Sequence, residues 1–182
     1  TFLAMMDFAK QWGAKINWIP VGEDKGYDLN AINNKINGNT KLIFLCNPNN
    51  PTGTVISKNS LQDFCLSASK KAIIFSDEAY YDFIQESEYP SMDTLVREGA
   101  NVIVSKTFSK IYGLAGLRIG YLIAPPHLAN QIRPNVVAMS NVLAIAGADK
   151  ALEDQEFYDF SLGKIKQGRK LITDILDDLG LN

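Results

Sequence analysis

Short, uninterrupted apolar runs are what most constrain the fold of this chain. Leu42–Cys46 (LIFLC), Ala72–Phe75 (AIIF) and Val102–Val104 (VIV) each have the length of a strand. Successive side chains of a strand point to opposite faces, so a strand that is apolar throughout must be covered on both sides. Ile119–Ile123 predicts a fourth buried strand, and Lys15–Ile19 a short one. Between these runs apolar residues recur at helical spacing. Phe2–Trp12 predicts a helix that Gly13 can end. Asp28 can cap a short helix through Ile36, and Ser57 one that runs toward Lys70. Further helices are predicted near His127–Arg133, Asn141–Leu152 and Glu156–Leu179, the last ended by Gly180. Buried strands alternating with helices predict an α/β fold, a three-layer α/β/α sandwich with a mainly parallel sheet.

Composition excludes several function classes. The 182 residues are 46% hydrophobic and carry a formal net charge of −2, which gives no basis for binding nucleic acid or an anionic membrane. No apolar run is long enough to span a bilayer, and no signal-peptide pattern opens the chain. Cys46 and Cys65 lack metal-ligand spacing. They read as buried, reduced thiols, so a cytoplasmic protein without a metal is expected. The chain opens on Thr1 and stops just past Gly180, and both ends read as cuts in a longer sequence. Residues 1–152 are expected to form one domain, and residues 153–182 a long helix leading toward a second.

In sheets of this kind, ligands bind at the carboxyl ends of the strands. LIFLC is followed by Asn47-Pro48-Asn49-Asn50-Pro51-Thr52-Gly53, AIIF by Ser76-Asp77-Glu78-Ala79-Tyr80, and VIV by Ser105-Lys106-Thr107-Phe108-Ser109-Lys110. Taken singly these are ordinary. Asn, Pro and Gly dominate turns, Asp77 could cap a helix, most lysines are solvated, and Arg118 could form a surface ion pair. Together they place a carboxylate, a phenol, an amine, two hydroxyls and an arginine after buried strands of one sheet. Pyridoxal phosphate needs such a set. An amine bonds its aldehyde, a carboxylate keeps its ring nitrogen protonated, and hydroxyls with an arginine neutralise its phosphate.

NPNNPTG, SDEAY, SKTFSK and GLAGLRIGY, in that order, resemble the fold-type I aminotransferases of class I and II. The subgroup they most resemble is the histidinol-phosphate aminotransferase-like enzymes. The resemblance runs over nearly the whole chain and implies the large, coenzyme-binding domain of a pyridoxal 5′-phosphate enzyme. It implies that Lys110 forms the Schiff base and that Asp77 pairs with the pyridinium nitrogen. Asn50 and Tyr80 would bond the ring hydroxyl, and Thr107, Ser109 and Arg118 the phosphate. Phe2 falls where the family stacks an aromatic side chain on the ring.

The resemblance also implies transamination between an amino acid or amino-alcohol phosphate, histidinol phosphate first, and 2-oxoglutarate. The catalytic residues would be Lys110, Asp77 and Tyr80, working in a homodimer. Decarboxylation of a threonine phosphate-like substrate is an alternative with the same coenzyme, and a non-catalytic module of the same fold is another. Arg97, Arg133 and Arg169 do not fall where the family's substrate arginine lies, so the segments that choose the substrate are expected outside these residues. The lone His127 reads as part of a solvated helix start, Glu78 and Tyr81 as packing or surface residues, and Met5-Met6 as core filler.

Overall fold

A computed structural model describes residues 3–136 and 141–181. They form two compact units, residues 3–107 with 121–136 and residues 108–120 with 141–181.

The first unit is built on α1 (Ala4–Gln11), α2 (Leu29–Lys35), β1 (Leu42–Cys46), α3 (Lys58–Ala68), β2 (Ile73–Asp77), α4 (Asp93–Arg97), β3 (Val102–Thr107), β4 (Gly120–Ile123) and α5 (Pro126–Ile132). The four strands lie in chain order in one sheet. β1 pairs with β2, and β2 with β3, in parallel. Right-handed crossovers between strands laid down in sequence put the connecting helices on one face. The core shows this. Ile43, Leu45, Ile74, Val102 and Val104 pack with Leu61, Phe64, Cys65 and Ala68 of α3 and with Leu95 and Val96 of α4.

The alternate residues Phe44, Ile73, Phe75 and Ile103 face the other way. They pack with Leu128 and Ile132 of α5 and with Met5 of α1. Phe44 and Phe75 are partners in register, and their rings stack with centroids 5.8 Å apart. This is the predicted α/β/α layering. Each large apolar side chain buried in it stabilises the fold by about 1.5–3 kcal/mol. Cys46 lies level with Asp77, and Asp77 with Ser105, so the carboxyl ends of three strands meet along one edge.

The second unit contains α6 (Val142–Glu153) and α7 (Gln155–Asp178). Asn141 caps α6 by accepting from the Leu143 N–H at 2.8 Å, and Asp154 caps α7 by accepting from Phe157 N–H at 2.9 Å. Gly180, at φ +65°, ends α7. Its N–H reaches the Asp177 carbonyl while Leu181 N–H reaches that of Leu176, a Schellman pair of bonds. The apolar stripe Phe157, Phe160, Ile165, Ile172, Ile175, Leu176 and Leu179 is exposed. Among the described residues no helix is long and apolar enough to cross a membrane.

Two local expectations fail. Residues 15–19 form no strand. Their side chains are mostly exposed and no described strand pairs with them, which leaves nothing to satisfy a ladder. β4 is a strand, but not a buried one, since Tyr121 and Leu122 are 41% and 47% exposed. It ends the sheet, and of its residues Ile123 packs against the core while Tyr121 and Leu122 stay exposed.

Candidate active site

Asp77 ends β2 with its side chain half-buried. Its Oδ1 accepts from Ser105 Oγ at 3.0 Å and from Ala79 N–H at 3.2 Å. It is therefore a strand residue rather than a helix cap, and its carboxylate is fixed by the neighbouring strand. The backbone then bends into a short 3-10 turn, Tyr81–Phe83, which presents Tyr80.

Asn50 comes from the loop after β1. Its Nδ2 donates to the Tyr80 hydroxyl at 3.3 Å, which brings the amide and the phenol together as one polar pair. The loop is held from beneath. Buried Asn47 donates to Tyr89 OH at 2.7 Å and accepts from Ile56 N–H at 2.9 Å, while Tyr89 OH donates to the Ile56 carbonyl at 2.6 Å. Tyr27 OH accepts from Cys46 N–H at 3.1 Å and donates toward Asn49 Oδ1 at 3.2 Å. Asn49 in turn donates to Thr52 Oγ1 at 2.7 Å. Gly53, at φ +72°, closes the turn with its N–H on the Asn49 carbonyl.

Thr107 ends β3, half-buried. The remaining candidates belong to the second unit. Lys110 is exposed and Ser109 half-buried. Arg118 Nη1 donates to the Ala115 carbonyl at 2.8 Å and lies 3.5 Å from Ser109 Oγ, so the arginine and a hydroxyl of the expected phosphate set are neighbours. Arg118 has φ +50° and ψ +51°, a left-handed conformation that costs a non-glycine residue about 1–2 kcal/mol. Phe2 lies outside the described residues.

The structure also separates the two lysines of SKTFSK. Lys106 is engaged inside the first unit, its ammonium 2.9 Å from Glu78 Oε2 and 3.9 Å from the centre of the Tyr81 ring. Glu78 is buried at 4% exposure and also accepts from Ser91 Oγ and Met92 N–H. Reading residues singly missed Ser105, Lys106 and the depth of Glu78. A signal was present: Glu78 directly follows the strand end Asp77, Lys106 directly follows Ser105, and parallel register sets Asp77 level with Ser105. Tyr27 and Tyr89 had no such signal, because they arrive from distant loops. His127 lies in the first turn of α5, its Nε2 2.8 Å from Asn101 Oδ1, away from these groups in sequence and element.

Burial pushes the Tyr89 phenol up to about 12, with Glu78 adding to the rise and the Asn47 bond opposing it. The Tyr81 phenol is pushed up by burial and then by Glu78, Asp93 and Asp82. These tyrosines stay neutral hydrogen-bonding groups throughout the neutral range.

The sequence model of the aminotransferase class I and II family matches residues 1–182. Histidinol-phosphate aminotransferase of Brevibacillus brevis is 38% identical over 171 residues, covering 93% of this chain and 47% of that protein. The crystal structure of histidinol-phosphate aminotransferase from Sinorhizobium meliloti in complex with pyridoxal-5′-phosphate matches with a TM-score of 0.86 at 29% identity, over 98% of this chain and 49% of that one. L-threonine-O-3-phosphate decarboxylase from Porphyromonas gingivalis matches with a TM-score of 0.74 at 23% identity, over 92% of this chain and 49% of that one, a likeness of fold alone. The chain spans about half the length of the relatives it matches. A family model that takes in every residue, and a relative aligned over 93% of the chain, lead to one conclusion: this chain belongs to the class I and II aminotransferase family.

Proposed function

We propose that the full-length protein is a pyridoxal 5′-phosphate-dependent aminotransferase. In this reading it moves an amino group between histidinol phosphate, or a related amino acid or amino-alcohol phosphate, and 2-oxoglutarate. The observation that carries it is the fixed Asp77 carboxylate at the carboxyl end of β2, beside strands whose loops bring Asn50 and Tyr80 together. The names of the 38% identical relative and of the 29% identical structure support the substrate. Residues 1–152 would form the coenzyme domain and residues 153–182 the way into a second. The working form would be a cytoplasmic homodimer.

The donor set suits the coenzyme. Asp77 would hold a proton on the ring nitrogen, its carboxylate kept in place by Ser105 and the Ala79 N–H. Asn50 and Tyr80 would bond the ring hydroxyl. Thr107, Ser109 and the planar guanidinium of Arg118 would take the phosphate. Lys110 would bind the coenzyme through its amine and carry the proton at the substrate α-carbon. Phe2 would cover one ring face. When bound, the coenzyme supplies an electron sink for that carbon.

The test is an assay of the full-length protein with histidinol phosphate and other amines, with 2-oxoglutarate as acceptor. Formation of glutamate and a keto or aldehyde product is the expected outcome. Release of CO2 from a threonine phosphate-like substrate without glutamate would replace this reading with decarboxylation. Binding of the coenzyme without turnover of any amine would reduce the protein to a non-catalytic module.

A further inference from the structure

Glu78 and Lys106 form a charge pair one residue beyond the Asp77–Ser105 strand partners. Asp77 and Ser105 are partners on adjacent strands, and the next residue of each is Glu78 and Lys106. The side chains pair in the same order, Asp77 with Ser105 and Glu78 with Lys106. Side-chain exposure is 3% for Glu78 and 17% for Lys106. Two uncompensated carboxylates on consecutive residues would add to the negative field at the strand end. Lys106 cancels one of them.

The rest of the shell around Glu78 is neutral. Ser76 Oγ, Ser91 Oγ and Met92 N–H donate to it. Cys65, Tyr81, Tyr89 and Tyr121 each sense its charge, and each is pushed up and so stays protonated. The other carboxylates acting on these tyrosines are Asp82, Glu86 and Asp93. Among the described residues, Lys106 is the cation in contact with Glu78.

We propose that the Glu78–Lys106 pair is a positioning device for the coenzyme site, which neutralises the second carboxylate so that Asp77 alone sets the charge facing the ring. It rests on the reading of Asp77 as the ring-nitrogen partner. The pair touches neither coenzyme nor substrate, and acts through the field at Asp77 and through the backbone carrying Tyr80. It explains why an acidic residue can directly follow Asp77 without competing with it.

The test uses full-length protein loaded with pyridoxal phosphate, and reads the pH midpoint of the bound coenzyme's visible absorption. Glu78→Gln leaves Lys106 uncompensated, and a nearby positive charge disfavours protonated coenzyme, so the midpoint falls. Lys106→Met leaves Glu78 uncompensated, and the midpoint rises. Each shift is expected to be roughly half a unit or more. The double variant E78Q/K106M should return toward the wild-type midpoint. Ser91→Ala, which removes a bond to Glu78 but no charge, should lower the unfolding temperature and leave the midpoint in place. Should Lys106→Met fail to fold, Lys106→Gln serves instead, since its amide still donates to Glu78.

Shifts of the same sign in both single variants, or no shift in a folded, loaded protein, would overturn the positioning role and leave a structural pair. A wild-type protein that takes up no pyridoxal phosphate would overturn the reading of the site, and this inference with it.

Discussion

Ser105 donates its hydroxyl to the Asp77 carboxylate at 3.0 Å from the next strand. A bond to a charged acceptor is worth about 1.5–3 kcal/mol. Ser105→Ala removes it with little change in volume. Pyridoxal phosphate affinity of the full-length protein should fall by roughly ten- to a hundred-fold, as that energy implies. Absorbance titration with the coenzyme measures it, and an unchanged dissociation constant would show that Asp77 does not need this support.

SKTFSK contains two lysines, and the structure gives them different surroundings. Lys106 is engaged with Glu78, whereas Lys110 is exposed at the start of the second unit. Lys110→Ala should abolish covalent attachment of pyridoxal phosphate, read as coenzyme retained after borohydride reduction and denaturation. Lys106→Met should keep it. The reverse pattern would reassign the amine.

Burial lifts the Cys65 thiol from its ordinary value of 9.0 up to about 12, with Glu78 adding to the rise. Tyr89 rises from 10.0 to about 12. In both cases the folded state keeps a proton that the unfolded chain gives up. The unfolded state therefore binds fewer protons, and stability falls as pH rises. The loss should begin near pH 9.0 with Cys65 and steepen near 10.0 with Tyr89. Each group adds a slope of up to about 1.4 kcal/mol per pH unit. Urea unfolding across this range measures it, and Cys65→Ala should delay the onset. A decline starting at the same pH in that variant would assign the alkaline limb to other groups.

Gly113, at φ +68°, sits against α7, where an added Cβ would lie 3.0 Å from Phe157 Cζ. Gly113→Ala forces a left-handed alanine and should cost roughly 1–2 kcal/mol. Phe157 is 40% exposed and its ring can yield, so the backbone term should dominate. Adding Phe157→Leu should then recover little, as a double-mutant cycle in urea would read.

Much of this fold was legible because the apolar runs state their own boundaries. β1 occupies Leu42–Cys46, Asp28 caps α2 and Gly180 ends α7, all as read. Ser57, by contrast, precedes α3 without a side-chain capping bond, and Asn141 caps α6 rather than beginning it. β2 and β3 run further than their apolar cores, to Asp77 and Thr107. Backbone pairing continues through polar residues, and that extension is what places the Asp77 carboxylate. Five-residue α4 gave no signal, since its N-cap Met92 makes no side-chain bond. Asn50, Asp77 and Tyr80 could be nominated because they follow apolar runs of strand length. Tyr27, Tyr89 and Asn47 hold the same loop through contacts made by the folded chain, which no local pattern announces. Tyr121 and Leu122 looked like a buried strand because hydropathy records what a residue prefers, not whether a neighbour exists to cover it.

Arg118 adopts a conformation that glycine would hold at no penalty. Folding by itself thus favours erasing the guanidinium. Replacing Arg118 with Gly should therefore firm the fold by about 1–2 kcal/mol, whatever it does to the phosphate role proposed for this side chain.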